Sequence, residues 1–247
     1  MLPPGDSAAA PRFHCPEGLA VGATIALPDR AAQHVRVLRL APGDAVTLFS
    51  GDGAEYAAEV LEIGRRAVSV LVRSRRETSR ESPLAIRLAQ GLSGGDRMDL
   101  VIQKATELGV TAVQPVLTAR SIVRLSSERQ ERREAHWQNV AIAACEQCGR
   151  NVVPEVLPLV PLADFLAQPR SALALVLSPA GSASLRAIAP AADVEILIGP
   201  EGGLTAAERE AAVAVGFTAV RLGPRILRTE TAPLAAIAAL QSMWGDG

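Results

Sequence analysis

Two apolar runs near the C-terminus stop in the same way. "EILIGP" (Glu195 to Pro200) and "VRLGP" (Val220 to Pro224) each end in Gly-Pro, and each leads through a short loop into a helix. Val194 to Ile198 is apolar but for one charge, the composition of a strand buried on both faces. Gly202-Gly203 then leaves backbone amides open to close approach. Thr205 followed by Glu208 has capping-box spacing, so a helix starts there, and Gly216 ends it. At the second joint "RILRTET" forms a polar loop, and a helix runs from about Pro233 through "LAAIAAL". A third run, "LALVLSPAGSAS" (Leu173 to Ser184), ends in Ser178-Pro179.

Strands alternating with helices from Leu84 onward predict an α/β domain with a mainly parallel sheet. Joints at the C-terminal ends of such strands are where open α/β sheets bind small ligands. The plain structural reading, ordinary strand–helix turns, stands beside the functional one, because glycine and proline mark most turns. No GxxxxGK[ST] is present and no GxGxxG follows a strand, which disfavours a phosphate cradle and a nicotinamide oxidoreductase.

The 247 residues hold one large domain or two moderate ones. Aromatics are only 3%, so the cores rest on Ala, Val, Leu and Ile. Formal net charge is −1. Through Arg80 there are 10 basic and 9 acidic residues, and beyond it 15 and 17, so any RNA surface is a local patch. The N-terminus lacks a signal-peptide pattern, no apolar run is long enough to span a membrane, and three cysteines do not make a secreted scaffold. A cytoplasmic location, with no membrane and no metal, is expected.

In chain order, Met1 to Pro11 reads as flexible. "ATIALP", "DAVTLFS", "AEYAAEVLEI" and "RAVSVLVRS" read as short strands with regular turns, which suggests a small barrel. "DRAAQHVRVLRL" (Asp29 to Leu40) interrupts them as a helix carrying His34, Arg36 and Arg39. Arg36 and Arg39 make either a solvated face or phosphate contacts. "RSRRETSRESP" (Arg73 to Pro83) is charged and aperiodic, and is the best linker. "LAIRLAQGL" and "AVQPVL" are strands. Between them runs a helix with Asp96 as its N-cap and a stripe of Met98, Ile102, Ala105 and Leu108. A long helix follows, capped by Ser126 or Ser127 and ended by Gly149, with Trp137, Val140, Ala141, Ala144 and Cys148 on one face. Cys145 and Cys148 form CxxC. A zinc half-site lacks ligands and a redox pair opens a helix rather than closing one, so packing is the preferred reading.

"IGPEGGLTAAE" followed by "LGPRILRTETAP" resembles the signature of SPOUT RNA methyltransferases, and within them the subfamily that methylates N3 of a uridine in 16S ribosomal RNA. "HVRVLRLAPGD", "ESPLAIRLAQGL", "DRMDLVIQKATELGV" and "WQNVAIAACEQCGRNVVPE" fit the same subfamily, so the likeness spans nearly the whole chain in order. It implies a PUA-like β-barrel RNA-binding domain over 1–78 and a SPOUT α/β methyltransferase domain with a trefoil knot over 79–247. It also implies a homodimer acting on 16S ribosomal RNA or the small ribosomal subunit, with S-adenosylmethionine as cofactor.

Three loops then become the cofactor site: Leu177, Ser178 and Pro179; Ile198, Gly199, Pro200, Glu201, Gly202 and Gly203; Leu222, Gly223, Ile226, Leu227, Arg228 and Thr231. Gly199 and Gly223 would admit the cofactor closely, and Leu222, Ile226 and Leu227 would supply apolar walls. Uridine N3–H must be lost before nitrogen attacks carbon, so a guanidinium aimed at a uracil carbonyl would stabilise the developing anion. Arg228 takes that role. Glu230 either acts as base, orients Arg228, or simply favours a helix N-terminus. Arg12, Arg36, Arg39 and Arg225 are the candidate RNA contacts. The alternatives are a related SPOUT enzyme acting on another RNA, and a catalytically inactive RNA-binding homologue.

Overall fold

The structure is a computed structural model that describes residues 10–121, 127–170 and 173–247. The expected flexible start up to residue 9, and the expected cap at Ser126, lie outside those residues. The chain folds as two compact units. One holds the residues through Arg80 together with Cys145–Val152, and the other holds Glu81–Ala144 and Val153–Gly247.

The first unit comprises β1 (Arg12–His14), β2 (Thr24–Ala26), α1 (Asp29–Val37), β3 (Ala45–Phe49), β4 (Ala54–Ile63) and β5 (Val68–Glu77). Its five strands lie in the order β1-β3-β4-β5-β2, with β1 parallel to β3 and the other pairs antiparallel. Val46 and Leu48, Ala58 and Val60, and Val68, Val70 and Val72 point to one face at period two, where Ala31, Ala32 and Val35 of α1 cover them. The helix stops at Val37, three residues before the expected end. Arg39 takes a left-handed φ of 56°, and Pro42 follows closely, so the helix cannot continue.

The expected linker is half strand. β5 runs on through Glu77 because its charged residues are paired across the sheet. Arg76 stands opposite Glu55 in register, and Arg73 bonds Glu59 at 2.8 Å. Glu55 gathers three guanidinium groups: Arg12 at 2.6 Å, Arg76 at 2.8 Å and Arg80 at 2.5 Å.

The second unit continues with β6 (Ala85–Gly91), α2 (Arg97–Glu107), β7 (Ala112–Leu117), α3 (Ser127–Cys148), β8 (Glu155–Val156), β9 (Val160–Pro161) and α4 (Leu162–Leu166). It closes with β10 (Leu173–Leu177), β11 (Ala183–Ser184), β12 (Asp193–Ile198), α5 (Ala206–Ala214), β13 (Thr218–Arg221) and α6 (Thr231–Trp244). The sheet order is β11-β13-β10-β12-β6-β7-β8, with β9 also on β7, and every pairing is parallel.

Near-continuous apolar strands are what a parallel sheet covered on both faces requires. Leu88, Ile196 and Leu175 are fully buried in one cluster with α2 and α6, while Ala89, Leu197 and Val176 face another with Phe165 and Phe217. Asp96 occupies the N-cap position of α2 but makes no side-chain cap bond. On α3 the buried residues are Trp137, Ala141, Ala144 and Cys145. Cys148, expected on that face, is only half-buried. α6 begins at Thr231, two residues earlier than expected, because proline is tolerated in a first turn.

Candidate active site

All strands of the second sheet run the same way, so the loops leaving β13, β10, β12 and β6 gather at one edge. Neighbour register fixes their level: Leu177 pairs with Val220, and Ile198 with Gln90. A cleft of about 340 Å³ opens there. Its lining includes Leu177, Ser178 and Pro179 after β10. After β12 come Ile198 and the turn through Leu204. After β13 come Leu222 and the run from Arg225 to Thr229, with Arg120 contributed after β7. The three joints singled out in the sequence therefore meet in one place. Gly223, Glu230 and Thr231 are not in the lining.

Local chemistry explains the shape. A Cβ on Gly199 would stand 2.7 Å from the Leu204 amide nitrogen and 2.8 Å from the Gly203 carbonyl carbon. Glycine at 199 thus serves the closing of its own turn, and it also lines the cleft. The α5 cap is a complete capping box. The Glu208 amide donates to Thr205 Oγ1 at 3.2 Å, and the Thr205 amide donates to Glu208 Oε2 at 2.8 Å. Burial opposes ionisation of Glu208. Hydrogen bonds from the Ala119 and Thr205 amides outweigh it and hold the carboxyl below its ordinary value. Glu208 so ties the loop after β7 to the start of α5.

The charges round the cleft are unequal. Arg120, Arg209, Arg221, Arg225 and Arg228 line it against one carboxylate, Glu201. Arg120 donates to the Gly202 carbonyl at 2.6 Å, and Arg209 to that of Leu204 at 2.8 Å. Arg225 and Arg228 are exposed, and neither side chain makes a hydrogen bond or ion pair among the described residues. Glu201 accepts from the Gly94 amide at 2.9 Å and from Arg97 at 3.1 Å. Glu230 lies 3.7 Å from Arg97 Nε and stands at the N-cap of α6; of the three readings left open, the one in which it orients Arg228 has no ion pair to support it among the described residues. Ile226 is 83% exposed at the rim, while Leu177, Leu222 and Leu227 are half-buried walls.

The other expected RNA contacts separate into two kinds. Arg12 donates to Glu55, to the Gly149 and Arg150 carbonyls and to Asn151 Oδ1, and stacks 5.2 Å from the Phe49 ring. Its guanidinium is therefore engaged within the first unit. Arg36 and Arg39 are exposed, and Arg36 donates to the Gly64 carbonyl at 3.0 Å.

Sequence reading passed over Gln90, Ser93, Arg97, Arg120 and Thr229. Gln90 and Arg120 stand at or just past strand ends, the same positional rule that found the other loops. Thr229 lies inside "LRTET" between two residues that were chosen.

Residues 80–241 match the RNA methyltransferase domain family, and residues 27–73 the RNA methyltransferase PUA domain. The fold and cleft therefore define the class: an α/β RNA methyltransferase domain with a PUA domain. The Bacillus subtilis ribosomal RNA small subunit methyltransferase E is 35% identical over 88% of this chain and 89% of its own. A solved ribosomal RNA small subunit methyltransferase E from Neisseria gonorrhoeae, bound to S-adenosylmethionine, is 46% identical. It covers 96% of this chain and 99% of its own, with a TM-score of 0.90. A Legionella pneumophila protein solved with the same cofactor is 40% identical, covers 97% of this chain and 100% of its own, and has a TM-score of 0.94. The chain belongs to the ribosomal RNA small subunit methyltransferase E family.

Among the described residues no cluster of His, Cys, Asp and Glu is suited to a metal ion, and no helix is long and apolar enough to cross a membrane.

Proposed function

We propose that this protein methylates N3 of a uridine in 16S ribosomal RNA, using S-adenosylmethionine. The observation that carries the reading is the meeting of the loops after β10, β12 and β13 in one cleft, with Arg228 in its lining and without a partner among the described residues. The cleft suits the cofactor. Its volume, leucine walls and turn backbone offer an apolar slot and hydrogen bonds for an adenosine, as small-molecule sites generally do. When bound, the cofactor supplies an electrophilic methyl group on a sulfonium.

The chain's own residues do the rest. Leu177, Leu222 and Leu227 exclude water, and the 198–203 turn orients the nucleoside part. Holding two reactants in line is worth on the order of 7–11 kcal/mol in the best cases. Arg228 presents a guanidinium to the uracil carbonyl where negative charge grows as N3 loses its proton. Glu230, held by Arg97, is a reserve acceptor for that proton. Arg225 meets RNA at the cleft, and Arg36 and Arg39 meet its phosphates from the PUA-like domain over 1–78. The catalytic domain over 79–247 is knotted and pairs as a homodimer, and the enzyme works on the small ribosomal subunit in the cytoplasm.

The test is nucleoside mass spectrometry of small-subunit RNA from cells lacking the protein. One N3-methyluridine is expected to vanish and to return with the gene. An unchanged profile overturns the assignment.

A further inference from the structure

In the wall of the cleft, where Gly199 and Thr229 belong to the lining, sits a buried polar network to which the proposed chemistry assigns no role. Thr229 Oγ1 is its hub. It donates to the Gly199 carbonyl at 3.0 Å, accepts from Gln90 Nε2 at 3.1 Å, and lies 3.2 Å from Ser93 Oγ. Gln90 Nε2 also reaches the Gly91 and Gly199 carbonyls at 3.2 and 3.4 Å. Gln90, Ser93 and Thr229 are 0%, 1% and 7% exposed. The network therefore ties together three segments within the buried interior: the end of β6 with the loop after it, the loop after β12 and the loop after β13.

Two further facts show that this is a built joint. A Cβ on Gly91 would stand 2.5 Å from the Pro200 nitrogen, so the tips of β6 and β12 are packed backbone to backbone. Gln90 Oε1 is buried with no partner among the described residues, even though turning the amide round would set oxygen against two carbonyls. A buried amide with an unmet acceptor is a burden that an apolar side chain would avoid. The Gln90 amide N–H groups, by contrast, are fully used, reaching Thr229 Oγ1 and the Gly91 and Gly199 carbonyls. Thr229 directly follows Arg228, whose side chain has no partner among the described residues to fix it.

We infer that Thr229 and Gln90 are positioning residues that hold the loop after β13 at the height where Arg228 meets the substrate. This rests on the proposed role of Arg228. Hydrogen bonds from a rigid strand end set the loop, and the loop sets the guanidinium. Small misplacements of such a group lower rate more than they lower cofactor affinity.

The test is a double-mutant cycle on the full chain, using single-turnover methyl transfer to small ribosomal subunits that lack the modification. Cofactor affinity by calorimetry and Tm are read alongside. Thr229→Val keeps the shape and removes the hydroxyl. It should slow transfer at least about tenfold while the cofactor Kd stays within about threefold. Thr229→Ser should restore the rate to within about twofold of the parent. In an Arg228→Ala background, Thr229→Val should add less than about twofold, because its effect passes through Arg228. If Thr229→Val fails to fold, Gln90→Met takes its place in the same cycle with the same expectations.

A parent-like rate in the substituted protein, the same loss in both backgrounds, or a loss that follows cofactor affinity overturns the inference. If Arg228→Ala itself transfers normally, the Arg228 role falls and the inference with it. If Arg228→Ala is slow and Thr229→Val is not, only the inference falls.

Discussion

Two small sets of arginines, one in each unit, are treated in opposite ways. In the first, Arg12, Arg76 and Arg80 converge on Glu55, and Arg12 adds two carbonyls and an asparagine. In the second, Arg225 and Arg228 project at the cleft with no partner among the described residues. Both sets look alike in the sequence. What separates them is whether a carboxylate is brought within reach, and that depends on sheet register. Satisfied guanidinium groups hold a fold together, whereas unsatisfied ones beside a cleft are available to a polyanion or a developing anion.

Removing a side chain of each kind should give opposite results. The largest effect is expected from Arg228→Ala, which should slow methyl transfer by about 10²–10³-fold, the loss typical of one preorganised anion-stabilising donor. Its Tm should stay near that of the parent, because the exposed side chain makes no hydrogen bond or ion pair among the described residues. A rate close to the parent's would erase the contrast.

Glu55→Gln should do the reverse, lowering stability and sparing the chemistry. Burial opposes ionisation of Glu55, but the Arg76, Arg80 and Arg12 hydrogen bonds prevail and bring its carboxyl from 4.5 down to about 2. A shift of that size corresponds to up to about 3 kcal/mol. Because the folded value is depressed, the stabilisation is fully present above about pH 4.5 and is lost as pH falls towards 2. Urea unfolding from pH 7 to pH 3 should show this decline in the parent and a flatter curve in Glu55→Gln. Parallel curves would mean that the three arginines are not what holds Glu55.

The smallest effect sharpens the boundary inside the second unit. Thr205→Ala removes half of the capping box of α5 and should cost about 1 kcal/mol in stability. Transfer rate should change little, since Thr205 does not line the cleft. A rate loss like that of Arg228→Ala would move the capping box from scaffold to chemistry.

The parallel sheet and its three loops were legible in the sequence because the signals are local. An apolar run, a Gly-Pro stop and a Thr-x-x-Glu cap each follow from neighbouring residues. Gln90 and Thr229 were not legible, since they lie 139 positions apart and meet only through strand order. The internal partners of Arg12 were hidden for the same reason: Glu55 and Asn151 are 43 and 139 residues away. Arg73 to Glu77 looked like linker because its charges lack periodicity. Their partners on β4 are what make it strand. Local patterning is visible along the chain, but pairing across the fold is not.

The most direct test is a crystal structure of the protein with S-adenosylmethionine. The account predicts the cofactor in the cleft between Leu177, Gly199 and Leu222, with Arg228 at its open side. A cofactor seated elsewhere on the second unit, or turned so that Arg228 faces away from its methyl group, would contradict it.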